Sequence, residues 1–225
     1  LYWIQIEGPS PSKFVALPPA DNVRMNFLIA QHQDDNSSRE QDLVDAIVDA
    51  GNPQAEAILG FLRRGSLDYA RVIGDPFLKT AEDLLARKFK DLAAATIGGY
   101  FLLLAGELDR LHDWTYNLDH RFPLLPDGAV IHGWHKLRDA KPDFATARTR
   151  FLEANRRGIP VYTSGLRLLH DGLVLMRSRS LQFENAIDEE VELALNRVRP
   201  IAAAADWRSA TTSVYGKRPP GEVLQ

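Results

Sequence analysis

The stretch Asp91-Leu92-Ala93-Ala94-Ala95-Thr96-Ile97-Gly98-Gly99-Tyr100-Phe101-Leu102-Leu103-Leu104-Ala105-Gly106 decides the fold class. Asp91 is a residue type that caps a helix, because its carboxylate accepts the free amides of a first turn. Gly106 suits the left-handed residue that closes one. Between them no residue is charged, and the apolar side chains run all the way round instead of along one stripe. That pattern predicts a helix buried among other helices. The longest apolar run, Ile97 to Ala105, is broken near its start by Gly98 and Gly99. It falls well short of the roughly 20 residues that cross a bilayer.

Working outward, the same punctuation recurs. Asn52-Pro53 caps and opens a helix with Ala57, Ile58, Phe61 and Leu62 on its apolar face, closed at Gly65. Asp75-Pro76 starts another, over about 76–89, lined by Phe77, Ala81, Leu84, Leu85 and Phe89. Leu108, Leu111, Trp114, Thr115 and Leu118 mark a further helix, as do Ala129, Val130, Trp134 and Leu137. Asp143 caps one that carries Phe144, Ala147, Phe151 and Ala154 and stops at Gly158. Pro160 opens the next, and Ile187, Val191, Leu195 and Val198 form a last face up to Pro200. Leu43, Val44, Ile47 and Val48 also fit helical spacing, ahead of Gly51.

Residues 1–30 read differently. Leu1–Glu7, Phe14–Leu17 and the alternating run Val23–Ala30 are strand signals, punctuated by Gly8-Pro9 and Pro18-Pro19. Two or three such strands are marginal alone. They are expected to pack on the helices, or to end an upstream β module whose first part precedes Leu1. The run resembles the tail of a small carrier- or adhesin-like β-sandwich. Residues 31–40 read as a linker in which Ser37 and Glu40 form a capping box. The helical domain is placed at 41–205, and 206–225 as an irregular C-terminal tail, an ordered strap at most.

Composition bounds the function. The chain has 225 residues, 45% hydrophobic and 25% charged, which is ordinary for a globular domain with a real core. A net charge of -3 gives no overall attraction to nucleic acid or anionic lipid. Arg177, Arg179 and Lys217-Arg218 are too few for a nucleic-acid footprint. The absence of cysteine excludes thiolate nucleophiles, thiolate metal sites and disulfides. The expected partners are therefore protein or peptide, with no nucleic acid, no membrane and no cofactor. The compartment is unreadable, a cytosolic one being preferred for a soluble domain.

Pro126 and Pro160 stand 34 residues apart, each ahead of a helix. Between them Ala147, Phe151 and Ala154 carry small and aromatic side chains before the turn at Gly158 and Pro160. In this the chain resembles the tetratricopeptide repeat, whose period is about 34 residues. Units would begin near Leu92, Gly128 and Tyr162, covering about 92–178. The first departs from the pattern, with Leu111, Thr115 and Leu118 in the small and aromatic places. In the second, His135 stands where a small residue is expected. The resemblance implies a mainly α fold of antiparallel helical hairpins, stacked as a short right-handed solenoid behind the N-terminal β segment. It also implies a concave groove onto which Tyr100, His132, Lys136 and His170 would project. Such a domain is a non-catalytic scaffold for a protein or peptide, the alternative being a spacer that positions a catalytic domain elsewhere in the parent.

Catalytic constellations are sparse. His132 and His135 have the i, i+3 spacing with which two imidazoles share a metal, and His112 and His120 are further candidate ligands for a metal-dependent enzyme. The His-Glu-x-x-His pattern is absent. His112-Asp113 and His170-Asp171 are neighbours whose side chains would diverge by about 100° on a helix. Ser164-Gly165 and Ser178 lack a strand-turn-helix elbow. Gly98-Gly99 lies inside an apolar helix and is not a phosphate loop. The acidic run at Asp188 to Glu192 is expected at a helix start, where the macrodipole favours anions.

Overall fold

The computed structural model describes residues 2–7, 12–19, 24–30, 43–49, 51–64, 75–184 and 186–216. Its helices are α1 (Pro53–Arg64), α2 (Asp75–Ala86), α3 (Leu92–Ala105), α4 (Trp114–Arg121), α5 (Pro126–Arg138), α6 (Phe144–Arg157), α7 (Thr163–Arg179) and α8 (Glu189–Ala204). Strands β1 (Tyr2–Ile6), β2 (Lys13–Leu17), β3 (Arg24–Ala30) and β4 (Leu43–Asp49) precede them, and β5 (Ser213–Tyr215) follows. The fold is mainly helical with a small β segment. No described helix is long and apolar enough to cross a membrane.

The quoted stretch is α3. Asp91 Oδ1 accepts from the amide of Ala94 at 2.9 Å. Gly106 closes the helix at φ 79°, where a side chain would be strained. Almost every residue between is buried, since α1 and α2 cover one side of α3 and α5 another. Beyond α3 the chain folds back twice. α5 returns through α6, with the Asp143 amide donating to the Lys136 carbonyl at 3.0 Å, and α7 packs on α8.

The segment after Gly106 does not continue as one helix from Leu108. It makes a 3-10 turn at Leu108–Leu111, swings through His112 at φ 45°, and only then starts α4. α4 lies on α5, while α3 has α2 as its main partner. The unit expected from Leu92 therefore differs from the α5–α6 and α7–α8 pairs.

A second correction concerns Leu43–Asp49, expected as a helix. It is β4, paired antiparallel with β3 from Arg24↔Asp49 to Ala30↔Leu43. Leu-Val-Asp-Ala-Ile-Val-Asp holds three β-branched residues, which suit a pleated surface once a partner strand is present. The first sheet is ordered β1-β2-β5, so its third strand comes from the far end of the chain. Residues 206–216, expected as irregular, form this strap. Thr211 bridges Tyr162, Ala205 bridges Val214, and buried Lys13 meets Asp206 at 3.0 Å. The capping box at Ser37 and Glu40, the closing Gly65 and the basic pair Lys217-Arg218 lie outside the described residues.

Candidate functional site

Polar side chains gather where α4, α5 and α6 meet. Thr115 and Asp119 lie one turn apart on α4, and His132 and His135 nearly one turn apart on α5. Two rungs join them: His132 Nδ1 to Asp119 Oδ2 at 2.8 Å, and His135 Nδ1 to Thr115 Oγ1 at 2.8 Å. The i, i+3 histidines thus hold separate partners and do not converge on one point. From α6, Arg150 donates to Asp119 Oδ2 at 3.2 Å. Arg157 places Nη2 2.7 Å from Oδ1, as an ion pair without hydrogen-bond alignment. Arg157 also donates to the carbonyls of Asp119 and Leu125 and to Glu153. Burial alone would raise the Asp119 pKa, but the bond from His132 and the Arg157 charge outweigh it and hold the carboxyl below its usual value.

His120 completes a group of three potential metal ligands with Asp119 and His132, their ligand atoms all within 4.8 Å of one another. Its ring stacks on Tyr116 at 3.9 Å, and its Nδ1 lies 2.9 Å from the Tyr116 carbonyl. His132 Nε2 is buried without a partner among the described residues. In metal sites a carboxylate commonly orients one imidazole nitrogen while the other binds the ion. Here, however, two guanidinium groups already neutralise that carboxylate, and a divalent ion would add positive charge beside them. The donor set fits an internal brace better than a metal centre.

A second knot surrounds Asp127 in the first turn of α5. Its carboxylate accepts from the Tyr100 hydroxyl at 2.8 Å, the Val161 amide at 2.8 Å and the Tyr162 amide at 3.3 Å. Burial pushes the carboxyl up to about 6, with these donors restraining the rise. The Tyr162 hydroxyl reaches the Ala93 carbonyl at 3.2 Å. The knot ties the turn before α7 to both α3 and α5.

The expected groove residues separate accordingly. Tyr100 is 0% exposed and bonded to Asp127, and His132 is 3% exposed and bonded to Asp119, so neither presents a side chain to a shared groove. Tyr100 on α3 and His132 on α5 are each turned to a buried carboxylate. Lys136 and His170 are half-exposed, the latter 3.3 Å from Asp171. Of the other candidate metal ligands, only His120 joins His132. His112 pairs with Glu82 at 2.8 Å and lies against Trp114, and His135 holds Thr115. Sequence reasoning missed Asp119, Asp127, Arg150 and Arg157, because nothing local marks an acid or a guanidinium as buried.

Two concavities among the described residues bear on binding. An apolar groove of about 450 Å³ lies between the first sheet and the turn joining α4 to α5, walled by Tyr2, Leu17, Leu92, Phe122 and Leu124, with Arg121 as its one charge among the described residues. Tyr2 is 77% exposed and Leu124 79%. A smaller pocket of about 230 Å³ opens at the start of α7.

No curated protein and no solved structure matches this chain. The family described as "Y4kD C-terminal domain" matches residues 57–225, from the first helix through the strap. That match spans most of the sequence, and the chain belongs to the Y4kD C-terminal domain family.

Proposed function

We propose that this domain is a non-catalytic docking module whose working surface is the apolar groove beside β1. The observation that carries the reading is large side chains left in solvent around a concavity: Tyr2 at 77% and Leu124 at 79% exposure. Apolar walls with one fixed charge are the usual make-up of a recognition site. Arg121 supplies that charge, so the occupant is an extended segment of two or more apolar side chains with a neighbouring carboxylate. Among the described residues β1 is paired on one side only, which suits strand addition by such a segment. The α5–α6 and α7–α8 pairs support a tetratricopeptide-like reading of the second half. The groove lies next to the N-terminal strands, which equally favours a docked domain of the parent chain as the source of the segment.

The test is a fluorescence-polarisation screen of short peptides that vary apolar and acidic positions. Peptides with both features should bind, and Leu124→Asp should weaken them about tenfold or more, the usual effect of losing an interface anchor. Equal binding by all-polar peptides, or by the variant, contradicts the reading.

A further inference from the structure

We infer that the segment docked in the groove carries a second carboxylate, received by Lys88 beyond the aromatic wall at Phe122; this rests on the docking reading above and adds the partner's second charge to it. Phe122, which walls the groove, meets the ring of Phe89 at 5.6 Å. Phe89 is 71% exposed and prolongs the apolar surface past the groove. It belongs to the turn 87–90 between α2 and α3, in which the Lys90 and Asp91 amides donate to the Arg87 carbonyl at 2.8 and 3.2 Å. That turn leaves Arg87, Phe89 and Lys90 outside and folds Lys88 inward, 5% exposed.

Lys88 is a buried cation without an anion. Its Nζ lies 5.3 Å from the centre of the Trp114 ring and 5.8 Å from that of Phe89, and it has no hydrogen bond or ion pair among the described residues. Of the acids on the adjoining helix ends, Glu82 holds Arg110 and His112, Asp91 holds Asn52 and the Ala94 amide, and Asp83 is exposed. Aromatic faces restore only part of what an ammonium loses on leaving water. Burial accordingly lowers the pKa of the amine. A carboxylate brought to Nζ supplies the missing counter-charge through a strong, charge-assisted bond. The atom is open to it: Nζ lacks a partner yet is not among the sealed unpartnered polar atoms, so the stem is buried and the tip meets solvent.

The order of charges narrows the occupant. Arg121 stands at the groove and Lys88 beyond Phe122, with apolar and aromatic side chains between them. Arg87 and Lys90, both exposed, add positive charge around the second point. An extended segment with an acid on each side of its apolar residues matches that order, whereas a mono-acidic one leaves Lys88 uncompensated.

The test starts from the tightest mono-acidic peptide of the polarisation screen and adds a second glutamate, or a glutamine, at successive positions on either side of the first. At one placement glutamate should bind about tenfold more tightly than glutamine, as expected for a gained charge-assisted contact. In Lys88→Met that gain should vanish while the mono-acidic peptide binds as before, and in Lys90→Gln it should persist. Lys88→Met removes an uncompensated charge and keeps the stem, so its melting temperature should not fall. If it does fall, the Lys88 Cε resonance of the parent protein decides, and it should move with the di-acidic peptide and not with the mono-acidic one. The inference is overturned if glutamate never improves on glutamine, if the gain survives in Lys88→Met, or if that resonance responds to both peptides alike. In each of those cases a mono-acidic peptide that binds and is weakened by Leu124→Asp leaves the docking reading standing. Failure of every peptide to bind overturns both.

Discussion

Asp119 is fully buried with His132 and two arginines directed at its carboxylate, so its removal strands positive charge inside the protein. Breaking one side of a buried pair costs about 3–5 kcal/mol. Asp119→Ala should lower stability by that order in urea denaturation, and a loss under about 1 kcal/mol contradicts the brace. Asp127 acts in the opposite sense with pH. Its carboxyl ionises at about 6 in the fold, against about 4 in an unfolded chain. Between those values the folded state holds the extra proton, so stability falls as pH rises through that window and stays reduced above it. Carboxyls held low, such as Asp119, contribute stability that is present at neutral pH and lost as acid protonates them. Comparing urea midpoints at about pH 4.5 and 7 should show a drop in the parent protein that shrinks in Asp127→Asn. These two acids were not legible in the sequence. Leu118-Asp119-His120 and Pro126-Asp127-Gly128 look like any solvated helix or helix start until α6 and the turn before α7 close over them.

At the level of elements, α5, α6 and α7 meet at Phe151. A Cβ on Gly133 would come within 2.8 Å of its ring, and one on Gly172 within 2.7 Å. Gly172→Ala should therefore destabilise by about 1–3 kcal/mol through overpacking. Adding Phe151→Leu should recover part of that loss in a double-mutant cycle followed by thermal melting, and strict additivity would disprove the contact. The helices here were legible because caps and spacing are local: Asp91 and Asp143 cap as expected, and the acidic run from Asp188 does stand at a helix start. β4 was not legible, since Leu43, Val44, Ile47 and Val48 satisfy both periods, and the partner that decides between them is β3. Nor was the swing at His112, whose positive φ is unusual for a residue with a side chain and breaks the expected first hairpin.

Across the whole molecule, the two ends of the chain hold one another. Lys13 on β2 and Asp206 on the strap form a pair whose side chains are 3% and 9% exposed, and β5 completes the sheet. Asp206→Ala should release both together, read as hydrogen exchange rising at 13–17 and 213–215 in step; a rise at one alone contradicts the coupling. If the Asp119 cluster is a brace, zinc should leave the melting temperature within about 1 °C, because only a ligand that prefers the folded state raises it. The docking proposal places recognition in the groove beside β1 instead. The most direct test is an amide chemical-shift titration with the tightest apolar-acidic peptide from the polarisation screen. Saturable shifts should cluster at residues 2–6, 17 and 121–125. Shifts centred instead on the amides of 132–136 and 170, or no saturable shift at all, would contradict the docking account.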